Sequence, residues 1–256
     1  MDSNSIKYYR DLVFVLVSKE FKLRYKSTLL GYAWSVLNPL AFALVFFVLF
    51  KKVLNIPIPN YALFLIAGLF PWQWFQNSVT ASNIYFLGNS SLIKKVRFPR
   101  STLVLAGVMN DLLHFVVSIP VIMFFMFYHG QFPTLAWLWG IPILVTIQLL
   151  FTYGIALFVA TSNLFFRDLE RLTGIFIMLW FYLTPVLFDV DMIPEKFRWA
   201  VYANPMAGII MCWRSVLLHG VLPLGPCGAA LGFALLAFFL GRAVYKSLEW
   251  RLAEVV

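Results

Sequence analysis

Apolar residues run along this chain in long blocks, divided by short polar or basic joints. Five blocks, at about 29–51, 61–87, 101–128, 136–163 and 224–245, reach or exceed the ~20 residues that cross a ~30 Å hydrocarbon core. A sixth, about 172–188, is near the minimum length. The joints carry helix-breaking or polar residues: NIPIPN, GNSSLIKKVRFPR, HGQFPT and FFRDLERL. Ahead of the first block, residues 5–28 alternate charge with apolar residues. Leu12, Val13, Leu16 and Val17 make one face there, and Lys19, Lys22 and Lys26 recur at helical spacing on another. That pattern predicts an amphipathic helix lying on a membrane surface, not a cleavable leader.

The segment from about 189 to 222 fits neither pattern. Its apolar part, Met206 to Leu218, is about 13 residues long and contains Arg214. It is too short to span and predicts a re-entrant or interfacial hairpin. The fold class expected is therefore all-α and polytopic: residues 1–28 as an interface helix, and 29–256 as a six-span domain with a re-entrant hairpin between spans five and six.

Composition sharpens this picture. The chain of 256 residues is 62% hydrophobic and 12% charged, against roughly a quarter charged in soluble domains. Its net charge of +9 would suit a nucleic-acid partner, but its distribution suits topology better. Six spans place fifteen Lys and Arg on the side of the termini and five on the other, so both termini are expected in the cytoplasm. The two cysteines, Cys212 and Cys227, lack ligand spacing and read as buried small residues.

No GxxxxGK[ST] stretch, HExxH motif or nucleophile–base arrangement is present. Any ATP used must be bound, with its magnesium, by a separate subunit. Asn110, Asp111 and His114 fall inside the third block, with Asp111 and His114 three residues apart on one helix face. Two readings stay open for them: a proton relay or pathway lining, and a hydrogen-bonded cluster holding helices together. Lys94, Lys95, Arg97 and Arg100, and the loop with Arg167 and Asp168, are either a docking surface or simple topology determinants. Arg24, Tyr25, Lys26 and Gly31, where the first helix meets the first span, would hold a lipid phosphate or bulk anionic lipid.

Taken together, several stretches resemble the membrane subunit of ABC-type polysaccharide exporters, the carriers of O-antigen, teichoic acid and capsule, and most closely the O-antigen exporters. They are YKSTLLGYAWSVLNPL (25–40), GLFPWQWF (68–75), SLIKKVRFPRSTLVLAGVMNDLLHF (91–115), LFFRDLERL (164–172), YLTPVLF (182–188) and IPEKFRWAVYANPMAGIIMCWRSVLLHG (193–220). The resemblance implies a homodimer bound to two ATPase subunits in the cell inner membrane, and a cargo attached to undecaprenyl pyrophosphate. By position it implies a lipid-headgroup entry at Leu30 and Gly31, beside Arg24, Tyr25 and Lys26. It implies ATPase coupling through Lys94 to Arg100 and the interface helix with Lys19 and Lys22. It implies an outer gate containing Asn204, Pro205 and Arg214, in which Pro205 would start the second short helix.

A polymer longer than the membrane is thick needs a tunnel with repeated weak contacts, for which ring faces and hydroxyls suit. The candidate lining is Tyr32, Trp34 and Asn38; Trp72, Phe75, Ser78, Ser82 and Tyr85; Trp180 and Thr184. In GLFPWQWFQNSV, Trp72 lies about 11 residues into its span, or ~16 Å at 1.5 Å per residue. That is mid-membrane and not the headgroup belt where tryptophan is usual. Rival readings are a small-molecule exporter, an intramembrane enzyme on polyprenyl phosphates, and a channel or scaffold.

Overall fold

The computed structural model describes residues 3–25, 33–53, 55, 57–96 and 98–252, most of them with side chains. Lys26, Leu30, Gly31, Tyr32 and Arg97 lie outside the described residues, as do the side chains of Arg24, Tyr25 and Asn38. The described chain is helical, without strands: α1 Ser3–Tyr25, α2 Trp34–Phe46, α3 Tyr61–Gly88, α4 Ser90–Lys95, α5 Ser101–Tyr128, α6 Trp137–Phe165, α7 Leu169–Leu183, α8 Glu195–Tyr202, α9 Pro205–Arg214 and α10 Leu224–Leu248. Both α2 and α9 run on into wider π turns, Phe47–Val53 and Ser215–His219.

Among the described residues, three helices are both long and apolar enough to cross a membrane: α5, α6 and α10 with its extension to Arg251. The bent pair α8 and α9 makes up to four if it counts as one span. The other predicted spans differ for identifiable reasons. At 28 residues α3 has the length, but Gln73, Gln76, Asn77, Ser78, Thr80, Ser82 and Asn83 make it polar along half its run. For α2 the regular helix is 13 residues before the π turn. The helix of α7 stops at Leu183, short of the expected 188, because Thr184 precedes Pro185 and takes extended backbone. Where the hairpin was expected, α8 and α9 meet at 95°, a bend that suits a broken span and a re-entrant loop alike. Helix α9 begins at Pro205, whose fixed φ and missing N–H suit a first turn.

The bundle is organised around α3, packed between α5 and α6 with α9 against its first half. Small residues set the tightest crossing, between α6 and α10. A Cβ on Gly241 would stand 2.1 Å from the Gly154 carbonyl oxygen, and one on Gly154 would meet the Ala237 backbone at 2.5 Å. Backbones approach this closely in membrane bundles where side chains are absent. Two main apolar cores result, with a small third one of Val190, Val201 and Ala207 at the α8–α9 corner. The larger holds the aromatic half of α3 with α9; the smaller joins Leu16 of α1 to Tyr85, Phe86, Ile93 and Tyr245. Cys212 and Cys227 are buried where α9 crosses α10, their sulfurs 3.1 Å apart.

Candidate transport groove

Helix α3 is buried all round from Leu63 to Trp72, and from Gln73 onward it divides its side chains between two faces. Trp72, Trp74, Phe75, Ser78 and Ser82 are buried within the subunit, and Tyr85 nearly so. On the other face Gln73, Gln76 and Thr80 recur at three and four residues and stay partly or fully uncovered. They form one wall of a groove of about 310 Å³ between α2, α3 and α7. Phe42 and Phe46 of α2 and Phe181 and Tyr182 of α7 supply rings opposite, and Trp72 closes the floor. Amides on an uncovered face of a long bundle helix are costly against lipid, and their place is a water-filled path or a protein contact.

Behind the groove lies a chain of ring contacts. Trp72 packs on Phe75 and Phe181 with centroids at 5.6 and 5.5 Å. Phe75 stacks on Phe151 at 5.5 Å and meets Trp180 edge-on at 5.2 Å. Trp72 donates its indole N–H to Gln76 Oε1 at 2.8 Å, which orients that amide along the groove wall. On the far side, Trp74 stacks on Phe115, which meets Trp213 of α9 at 4.9 Å. Gln148 of α6 joins these parts: it accepts from Trp213 Nε1 at 2.6 Å and donates to the Pro71 carbonyl at 2.7 Å.

The α8–α9 corner is tied down by two residues. Asn204 caps α9, its Oδ1 accepting from the N–H groups of Met206 and Ala207. The same oxygen accepts from Trp180 Nε1 at 2.8 Å, and Nδ2 donates to Leu183 O and to Thr184 Oγ1. Thr184 is fully buried there and donates to Trp180 O. Arg214 is buried against Gly68 and donates to three carbonyls, Phe64, Pro185 and Val186. Its guanidinium carbon stands 3.5 Å from the centre of the Phe64 ring. A side chain at position 68 would strike it, since a Cβ there lies 2.7 Å from Nη2. These contacts fix α9 to α3 and to the end of α7.

Asp111 sits between α5 and α3 and accepts from Ser78 Oγ at 3.0 Å. His114 and Asn110 are 3.5 Å apart. A cavity of about 20 Å³, room for one water, lies among Gln73, Asn77, Asp111 and His114.

At the opposite end of α3, the basic residues gather. Lys19 of α1 donates to Asn89 Oδ1 at 2.5 Å, joining the first helix to the α3–α4 corner. Lys94 and Lys95 are exposed on α4 and, with Arg100, border a polar cleft of about 580 Å³ closed by Glu249. Arg100 donates to the Glu249 carbonyl at 3.1 Å. Lys22, Arg167 and Asp168 are exposed. Trp34 is half-exposed at the start of α2.

Of the residues expected to line a path, the structure places Trp72 at the groove floor and Trp180 behind it. It turns Phe75, Ser78, Ser82 and Tyr85 into the subunit interior. Gln73, Gln76 and Thr80 were not among the expected residues. Their signal was in the sequence: two amides three residues apart, followed by a hydroxyl four further on, in a span with no charge to balance.

Comparison with known proteins places the chain among transporters. The model of the ABC-2 type transporter family matches residues 11–218. An O-antigen export system permease protein RfbA of Klebsiella pneumoniae is 47% identical over 252 residues, covering 98% of this chain and 97% of the relative. One of the same name from Myxococcus xanthus is 33% identical, covering 97% and 96%. The polysialic acid transport protein KpsM of Escherichia coli is 22% identical over 239 residues, covering 91% and 92%.

Proposed function

Because the chain belongs to the ABC-2 type transporter family, we propose that it is the permease subunit of an ATP-driven exporter of O-antigen-like polysaccharide. The cargo is a glycan linked to undecaprenyl pyrophosphate, and it leaves the cytoplasm through a tunnel between two copies of this chain. The observation that carries the reading is the groove between α2, α3 and α7, where ring faces oppose a polar stripe of Gln73, Gln76 and Thr80. The apolar faces of sugar rings stack on Phe42, Phe181 and Tyr182, while hydroxyls exchange among amides and water. Each contact is weak and repeated, as conduction of a long chain requires.

A second copy supplies the missing wall. Only Thr173 and Ile177 of α7 are buried, leaving Leu172, Ile175, Phe176 and Leu179 bare beside the groove. The basic end faces the cytoplasm, with α1 in the membrane interface. There two ATPase subunits, which bind ATP and magnesium, dock on α1, on Lys94 and Lys95, and on the Arg167–Asp168 corner. Arg24, Tyr25, Lys26, Leu30 and Gly31 receive the lipid pyrophosphate where α1 leads into α2. ATP binding shifts α1 and α4, and the motion reaches the groove through α3. The α8–α9 hairpin closes the outer mouth, with Asn204, Pro205 and Arg214 as its fixed points.

The test is export from a strain lacking its own permease, with the partner ATPase supplied. Gln73→Leu, Gln76→Leu and Thr80→Val together turn the stripe apolar without changing buried residues. Surface glycan is expected to fall at least tenfold, about 1.4 kcal/mol in effective barrier, with lipid-linked glycan accumulating inside. Full export at normal protein level rejects the groove as the path. Export of a small amphiphile without any lipid-linked intermediate rejects the cargo class.

A further inference from the structure

We propose that a cleft at the hairpin end of the bundle is a binding site for a resident anionic phospholipid of the outer leaflet. The cleft, about 620 Å³, lies between α2 with its π turn, the start of α3 and the end of α5. It falls within the range of pockets that enclose ligands, roughly 300–1,000 Å³. Its walls are apolar: Leu40, Ala43, Phe47, Ile66 and Phe125. Its rim carries Lys51, Lys52 and His129, and among the described residues no acidic one lines it. An acyl chain fits the walls and a phosphate fits the rim.

The charge placement makes the site more than a greasy crevice. Orientation rests on the function proposed above, which puts this end outside. Cations are disfavoured on that side, so each one there calls for a reason. Arg214 has its three carbonyls, Arg198 pairs with Asp191 and the Ile193 carbonyl, and Lys196 stands 4.9 Å from the centre of the Phe197 ring. Lys51 and Lys52 are adjacent, and both line this one cleft. Lys51 is bound to the Ile58 carbonyl at 3.2 Å, which holds its stem over the opening. The joint that carries Ile58 is itself bent sharply, with Asn55 and Asn60 at φ of 50° and 46°. Asn60 adds an amide to the rim. Each lysine near a phosphate contributes about tenfold in affinity or less. The pair therefore discriminates a monoanionic headgroup from a zwitterionic one.

The experiment is native mass spectrometry of the full chain, released from nanodiscs of equimolar phosphatidylglycerol and phosphatidylethanolamine. Wild type is expected to retain phosphatidylglycerol over phosphatidylethanolamine by about tenfold. Lys51→Gln with Lys52→Gln should abolish the preference, and Ala43→Phe, which fills the cleft, should lower total retention of both lipids. Equal retention of the two lipids by wild type overturns the proposal. So does displacement by inorganic phosphate, which would make the site one for a free anion. Stoichiometric displacement by a polyprenyl pyrophosphate assigns the cleft to cargo and also overturns it. Disulfide crosslinking of Leu44→Cys between two copies would make the cleft a subunit interface and would overturn it too. Orientation is read separately. Labelling of Lys52→Cys by a membrane-impermeant maleimide in spheroplasts, over the unlabelled wild type, reports the outer face whether or not lipid binds or glycan is exported.

Discussion

Trp180 and Asn204 share one hydrogen bond, indole N–H to amide oxygen at 2.8 Å, and through it the end of α7 is joined to the corner of the α8–α9 hairpin. The same amide oxygen caps α9. Asn204→Ala removes the cap and leaves the Trp180 donor without its acceptor. The expected loss is at least about 2 kcal/mol, ~1 for the cap and ~1 for the Trp180 bond, with the Nδ2 bonds to Leu183 O and Thr184 Oγ1 lost as well. Asn204→Ser keeps a cap oxygen and loses the bond to Trp180, so it should cost about half as much. Thermal unfolding of the purified protein in detergent reads the order of the two variants.

Gly68 and Arg214 should behave as one unit. Gly68→Ala pushes a methyl into the guanidinium and should destabilise by about 1–3 kcal/mol. Arg214→Lys exchanges a three-carbonyl fork for a point charge and should cost more, because carbonyls and part of the charge are left without partners. In the double variant the methyl meets a thinner side chain, so the effects should fall short of additive by about 0.5 kcal/mol or more. A double-mutant cycle on unfolding midpoints measures the coupling.

Two glycines of α10 make a matched pair. Gly241→Ala drives a methyl into the Gly154 backbone, where no side chain can give way. It should cost about 1–3 kcal/mol or block folding. Gly232→Ala meets nothing within 4 Å and should be neutral or stabilising by up to about 1 kcal/mol. Expression level and melting temperature separate the two.

At the basic end, Lys94→Glu with Lys95→Glu should reduce co-purification of the partner ATPase and its stimulation by the permease. Export should fall in parallel while the melting temperature holds, since both side chains are exposed. Lys19→Met should act differently. It frees α1 from Asn89 and should weaken coupling while ATPase binding persists. Measuring bound ATPase and ATP turnover side by side distinguishes contact from transmission.

Much of the fold was legible in the hydrophobic pattern. The ends of α3, α5 and α6 fall within two residues of the expected blocks, because Pro57 and Pro59, Pro99 and Pro133 flank them. The start of α9 was legible for the same kind of reason, the backbone preference of Pro205. Burial within α3 was not. Phe75, Ser78, Ser82 and Tyr85 share a helix face by spacing, but spacing alone does not tell which face meets α5 and α6. That is decided by partners distant in sequence: Phe151 for Phe75, Asp111 for Ser78 and Gly107 for Tyr85. The role of Arg214 was equally hidden, because its acceptors are backbone carbonyls, which leave no mark in a sequence.

That last contact has a temporal side. Phe64, Pro185 and Val186 all precede Arg214 in the chain, so a ribosome finishes the receptor before it makes the guest. Until residue 214 emerges, α3 and the end of α7 meet through ring contacts and the Tyr61–Leu187 hydrogen bond, without a cation to bridge their carbonyls. The arginine is a latch made last, and a chain interrupted shortly before it would hold every lining residue of the groove without the side chain that ties Phe64 to Pro185 and Val186.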